Sequence, residues 1–208
     1  MVDVYVMRHS HVNYGPGVTI AEDNPLTRLG WRLAARLAER SIGWDLQHLF
    51  VSTMPRAMQT AEEVLSANPG LPMTAMAGLR ETSLADMGDY PGAPPSRDLR
   101  DWDVDQFLFA SQRLLERVEA AWAAIEGVVR EGGLERVGIV AHGGSINMLL
   151  RLFQGYQSAD LTRCWFELDW TGLSVLRYGE GDPPRAILRV NDTQHVEALR
   201  EEIAAFGG

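Results

Sequence analysis

The chain has 208 residues, 46% hydrophobic and 23% charged, with a formal charge of −9, which suits one soluble globular domain with a sizeable core. The acidic balance argues against a nucleic-acid partner, which needs a basic face. No run of ~18 apolar residues predicts a membrane span, and an N-terminus with Asp3 and no basic region predicts no secretory leader.

Two residue counts narrow the chemistry. Cys164 is the single cysteine, so an intrachain disulfide is excluded and a cytoplasmic location is expected. All 19 basic residues are Arg, with no Lys. A pyridoxal-phosphate Schiff base and the Gly-Lys pair of a phosphate-binding P-loop are therefore unavailable.

Taken in chain order, the apolar period switches between two and about 3.6. Val2 to Met7 reads as a strand and runs into Arg8-His9-Ser10. Thr27 to Arg40 is a helix, with Leu29, Leu33 and Leu37 on one face. Gln47 to Ser52 is a strand, followed by a helix from Pro55 to Ala67, with Pro where its missing N–H costs nothing. The Pro/Gly-rich stretch Gly88 to Ser96 and the charged Arg97 to Asp105 read as an irregular excursion, set at about residues 86–112 and expected to cover the substrate. Asp105 to Glu131 is a long amphipathic helix closed by Gly132-Gly133. Arg136 to Ala141 is a buried strand that ends at His142-Gly143-Gly144, and Ser145 to Phe153 is the helix after it. Cys164 to Trp170, Leu173 to Tyr178 and Ala186 to Val190 read as strands, with a turn at Gly179 to Pro184. Glu197 to Phe206 closes the chain as a helix.

Alternating strands and helices predict an α/β three-layer sandwich: a mostly parallel sheet with helices on both faces, in a single domain over residues 1–208. Ligands of such sheets bind beyond the carboxyl ends of the strands. Arg8, His9, Arg56 and His142 all fall there. Two planar guanidinium groups fit phosphate oxygens. A neutral imidazole can attack phosphorus, dividing one barrier into two. A second, protonated His can stabilise the equatorial oxygens, and a carboxylic acid can protonate the leaving alkoxide.

Four blocks carry a resemblance: Met7-Arg8-His9-Ser10, Ser52 to Ala61, Leu79-Arg80-Glu81 and Ala141-His142-Gly143-Gly144. In this order they resemble the histidine phosphatase superfamily, the phosphoglycerate mutase-like group. Val190 to Val196 is similar to the family's C-terminal signature. The resemblance implies a phosphoglycerate mutase-like fold and a phosphohistidine mechanism, with no cofactor and no metal. His9 would be the nucleophile, Arg8 and Arg56 the phosphoryl ligands, His142 the second pocket histidine and Gly143 a backbone donor. Glu81 would be the proton donor, and Asn13 would reach the substrate. Two departures stand out. Ser10 occupies a position where the family usually has Gly. The Met87 to Gly92 run starts about three residues late, which leaves Asp86 as an alternative acid to Glu81, although Glu81 keeps the local pattern and reaches further.

The expected activity is hydrolysis of small phosphate monoesters, with broad specificity if Tyr90, Trp102, Phe107 and Phe109 line an outer pocket. A phosphoglycerate mutase on the same pocket is the nearer alternative; the short acidic excursion and the lack of Lys weigh against it. A metal-dependent hydrolase on His9-Ser10-His11 and a catalytically silent phosphate-binding module are alternatives of another class. His48 and His195 read as surface and packing residues. Neither a nucleic acid nor a membrane is expected as a partner, and a homodimer is left open.

Overall fold

A computed structural model of the chain describes residues 1–13, 24–92, 96, 101–156, 165–180 and 184–206; Cys164 and residues 97–100 of the charged stretch lie outside them. Among the described residues there are six strands: β1 (Val2–Arg8), β2 (His48–Ser52), β3 (Met73–Met76), β4 (Arg136–Ala141), β5 (Leu173–Tyr178) and β6 (Arg185–Asp192). They form one sheet in the order β3-β2-β4-β1-β5-β6. The first four run parallel, and β5 and β6 add an antiparallel edge. The helices are α1 (Arg28–Ser41), α2 (Pro55–Ala67), α3 (Val104–Gly132), α4 (Gly143–Phe153) and α5 (Arg200–Phe206). Among the described residues no helix is long and apolar enough to cross a membrane.

The strands are apolar almost throughout because both faces are covered. Val4, Val6, Phe50 and Ile139 face α3 and α4, where Leu114, Val118, Ile125, Ile146 and Leu150 complete a core. The alternate positions Met7, Leu49, Val51 and Val140 face Leu37, Ala57, Ala61 and Val64 of α1 and α2. Each such side chain, taken fully out of water, contributes ~1.5–3 kcal/mol. Local signals set the helix ends. Thr27 caps α1 by accepting from the Gly30 amide, Pro55 opens α2, and Asp103 and Gln106 form a reciprocal cap on α3. Gly133, at φ 59°, ends α3 in the left-handed region that glycine tolerates.

The structure departs from the sequence reading in three places. β3 was not predicted: Met73, Thr74 and Ala75 are exposed, so this edge strand has no apolar face and is held by backbone pairing with β2. The predicted strand at 164–170 is absent over 165–169, which run as an irregular strap. Its period-two apolar pattern is real, since Leu168 is buried, but side chains replace the ladder partners. Asn147 of α4 accepts from the Phe166 amide at 2.8 Å and donates to its carbonyl at 3.0 Å. Asn191 Oδ1 accepts from the Asp169 amide at 2.8 Å. The closing helix begins as a 3-10 turn over Gln194–Leu199 and becomes α-helical only at Arg200.

Candidate active site

Strand register assembles the site. Arg8 of β1 pairs with Ala141 of β4, and Val51 of β2 pairs with Val140 of β4. Arg8, Ser52 and Ala141 therefore end their strands at one level, and His9 and His142 are the next residues along. The His9 amide donates to the Ala141 carbonyl at 2.8 Å, which extends the ladder by one bond. The two imidazole rings lie 5.0 Å apart, centroid to centroid, inclined by 52°, and both residues are buried.

The surroundings of His9 fix its tautomer. His9 Nδ1 lies 2.7 Å from the Ser10 carbonyl, an acceptor only, so Nδ1 carries the proton. The Arg56 Nε–H donates to His9 Nε2 at 3.3 Å, so that nitrogen presents its lone pair. Burial, then the charges of Arg8 and Arg56, hold His9 well below the usual histidine range, opposed in part by the bond to the Ser10 carbonyl. His9 is thus held as a neutral ring, with its Nε2 lone pair facing the Arg56 guanidinium. The carbonyl that orients it is itself anchored: the Ser10 amide donates to Thr60 Oγ1 at 2.9 Å, and the Ser10 hydroxyl donates to the Gly30 carbonyl at 2.6 Å. Ser10, fully buried, therefore directs its side chain to α1. α1 packs so tightly here that a Cβ on Gly30 would lie 2.2 Å from the His11 carbonyl oxygen.

His142 caps α4, with its amide donating to Ser145 Oγ at 3.1 Å. Its Nε2 lies 2.7 Å from Ser52 Oγ. Its buried Nδ1 makes no hydrogen bond of ordinary geometry among the described residues, although the His142 side chain lies at the Ser145 amide in the first turn of α4. Burial, then His9, Arg56 and Arg8, push its pKa well down. The sequence reading expected a protonated second histidine; burial and the adjacent guanidinium groups instead favour the neutral ring.

The remaining candidates fall at different distances from this centre. Arg56, buried, sits in the first turn of α2. Arg8 donates to the Leu168 carbonyl on the strap. Gly143 opens α4, and a Cβ there would lie 3.8 Å from Arg8 Nε and 4.0 Å from Glu81 Oε2. Glu81 accepts from the Gly144 amide at 2.7 Å and from the Thr82 amide at 2.9 Å. Its carboxylate lies so close to the start of α4 that a Cβ on Gly144 would come within 2.1 Å of Oε1. Asp86 is committed elsewhere: it pairs with Arg117 at 3.1 Å and accepts from the Ser83 amide at 2.8 Å as the cap of a short 3-10 turn. Asn13 is exposed, four residues past His9.

His11 turns away from His9. Its Nδ1 lies 2.6 Å from Thr27 Oγ1 and its ring stands edge-on to Trp170. His48 contacts Thr74 at the far side of β2. In the 86–112 region, which includes the first turns of α3, Tyr90 packs edge-on against Phe109. There Trp102 donates to the Ser96 carbonyl, and Phe107 is partly exposed. Three residues quoted in the motifs without a role have one here: Ser52 on His142, Thr60 on the Ser10 amide, and Gln59, whose Oε1 accepts from the Leu26 amide at 2.8 Å.

An α/β sandwich with two buried imidazoles and two guanidinium groups at its strand ends has the groups that suit a phosphoryl ligand. The model of the histidine phosphatase superfamily (branch 1) matches residues 4–193, and the chain belongs to that superfamily. It is 26% identical over 164 residues to a probable phosphoglycerate mutase, GpmB, of Proteus mirabilis, covering 74% of this chain and 76% of the relative. Among solved structures, Bacillus stearothermophilus YhfR aligns with a TM-score of 0.74 at 22% identity, over 95% of this chain and 100% of the other. A mycobacterial glucosyl-3-phosphoglycerate phosphatase aligns with a TM-score of 0.70 at 21% identity, over 92% and 99% of the two chains. These two structures share the fold.

Proposed function

We propose that the protein hydrolyses small phosphate monoesters through a phosphohistidine on His9. The observation that carries this reading is the His9 ring, with its proton held on Nδ1 by the Ser10 carbonyl and its Nε2 lone pair beside the Arg56 guanidinium. In the first step Nε2 forms a bond to phosphorus while the ester P–O bond breaks, and Glu81 gives its proton to the departing alkoxide. In the second step water attacks phosphorus, Glu81 takes a proton from that water, and the N–P bond breaks to return neutral His9. Arg8, Arg56, the Gly143 amide and His142 would hold the phosphoryl oxygens, where fixed donors in a site sheltered from water count most. Asn13 is proposed to reach the alcohol portion of the substrate. The engagement of Asp86 by Arg117 supports Glu81 as the acid.

Mutase chemistry on the same pocket is a second reading, favoured by one observation. Arg80 lies beside the site, within 3.4 Å of Thr53 Oγ1, and its charge acts on His142, so it could favour a substrate with a second anionic group. The deciding assay is p-nitrophenyl phosphate hydrolysis with EDTA present, comparing the native protein with His9→Ala and trapping phosphoprotein. Metal-independent turnover, with an acid-labile label that the variant lacks, is the expected result. Full activity in His9→Ala removes the assignment. Interconversion of 2- and 3-phosphoglycerate exceeding hydrolysis makes the protein a mutase.

A further inference from the structure

Ser52 closes β2 and is fully buried. Its hydroxyl touches two groups, the Met54 amide at 3.3 Å and His142 Nε2 at 2.7 Å. The amide is a donor only, so it takes one oxygen lone pair. Two arrangements then remain for the shorter contact. If His142 Nε2–H donated, the serine proton would need another acceptor, and among the described residues the hydroxyl has none. A buried hydroxyl without an acceptor is costly. If the serine O–H donates to Nε2, both groups are satisfied, and the histidine proton must reside on Nδ1. That nitrogen is the buried one with no hydrogen bond of ordinary geometry among the described residues.

We propose that Ser52 is a positioning residue that holds His142 as the neutral Nδ1–H tautomer, so that the pocket presents an imidazole N–H donor rather than an imidazolium to the phosphoryl oxygens. The proposal rests on the phosphoryl-transfer reading above. It explains why a fully buried polar nitrogen is left open: an oxygen of the ligand completes it. In the opposite tautomer Nδ1 would aim a lone pair at an oxygen dianion, so a wrong proton position alone would weaken the site. A neutral donor also avoids a third positive charge next to Arg8 and Arg56, and the downward push on His142 from burial and from those charges agrees with it.

The test reads the tautomer directly. Nitrogen-15 spectra of the imidazoles, with His142 assigned by its loss in His142→Gln, are recorded near neutral pH for the native protein, Ser52→Ala and Ser52→Thr. The native ring is expected to be neutral and protonated on Nδ1. In Ser52→Ala the proton is expected to populate Nε2, with kcat lowered about 10- to 100-fold, KM changed less than about threefold, and vanadate affinity lowered in step with kcat. Ser52→Thr restores tautomer and rate. A native His142 that is protonated on Nε2, or is an imidazolium, overturns the proposal whatever the variants do. So does a folded Ser52→Ala protein with native tautomer and kcat. The native measurement stands even if Ser52→Ala fails to fold. Labelling of His9 in the native protein separates the two readings. A labelled enzyme with the wrong His142 tautomer refutes only the role of Ser52. An enzyme that never labels refutes the mechanism itself.

Discussion

Two regions of the molecule use the same residue types for opposite ends. At the strand ends, Arg8, Arg56, His9 and His142 gather where β1, α2 and β4 meet. Under the antiparallel edge, Arg40 of α1 meets Asp192 and His195. There the cluster closes on itself. Arg40 forks onto both oxygens of Asp192 at 3.0 and 2.6 Å and donates to His195 Nδ1 at 3.1 Å. His195 Nε2–H donates to Thr171 Oγ1 at 3.0 Å, and the threonine hydroxyl donates to the Trp170 carbonyl at 2.6 Å. Each nitrogen of the His195 ring has a protein partner, and a carboxylate supplies the negative charge. At the strand ends His142 keeps a buried nitrogen open, and the groups whose charge bears on the two rings are all basic: Arg8 and Arg56 on both, with His11 on His9, and with His9 and Arg80 on His142. An Arg–His cluster that contains its own acid is a fastening. One that leaves an acceptor position open is a candidate binding site.

The sharpest way to break this comparison is to truncate one Arg from each region. Arg56→Ala is expected to lower kcat/KM for p-nitrophenyl phosphate by about 10³-fold with little change in melting temperature. Arg40→Ala is expected to do the reverse. Its partner Asp192 is about four-fifths buried as a side chain and would keep only the Arg189 contact and the Gln194 amide, so the loss costs about 1–2 kcal/mol, or roughly 2–8 °C in a chain of this size, with catalysis near native. Steady-state kinetics and thermal melts on both variants decide. Equal losses of activity would mean that the Arg40 cluster belongs to the active site after all.

A smaller effect sharpens the boundary within the site. Glu81→Gln keeps the shape and the acceptor for the Gly144 amide but removes the proton. Turnover of alkyl phosphates, whose alkoxides need protonation, is expected to fall ~10²-fold, and that of p-nitrophenyl phosphate much less. An equal loss on both substrates takes the acid role from Glu81. Asp86→Asn, which weakens the contact to Arg117 but leaves the Glu81 carboxyl in place, is expected to move stability and not leaving-group dependence.

The candidate site was legible because its residues are attached to features with a period. Arg8, His9 and His142 follow apolar strands, and Arg56 follows a Pro that opens a helix. A one-dimensional pattern therefore implies a shared location once the strands are parallel. What stayed hidden depends on contacts between segments far apart in the chain. Ser52 stood in plain view as the last residue of a strand, yet its bond to His142 spans 90 positions. Protonation was equally out of reach: an isolated pocket histidine near phosphate suggests an imidazolium, and only burial beside Arg56 and Arg8 makes it neutral. The strap misled for a related reason. Phe166, Leu168 and Trp170 alternate like a strand, but Asn147 and Asn191 supply hydrogen bonds that a neighbouring strand would otherwise make. β3 was invisible because an exposed edge strand carries no apolar alternation.

The mildest expected effect concerns acid stability and returns to the fastened cluster. His195 is held down to about 4, first by burial and then by the Arg40 charge. Its unfolded value is near 6.5. Between these two values the unfolded chain takes up a proton that the folded ring refuses, so stability falls as pH is lowered from about 6.5 to about 4 and then levels for this group. The other four histidines are shifted the same way, so the whole protein should weaken across that window. Asp192 acts at lower pH. Its carboxyl, held well below the usual range by the Arg40 hydrogen bonds, contributes stability above about 3.9 that is lost as pH falls further. His195→Asn isolates one share of this loss. With partial solvent exposure discounted, the difference in unfolding free energy between native and variant should shift by on the order of 2 kcal/mol between pH 7 and pH 4. Denaturant titrations at the two pH values measure it. A difference that does not change with pH would mean that His195 is protonated inside its cluster, which would make the cluster an ion triad rather than an ion pair with a neutral ring.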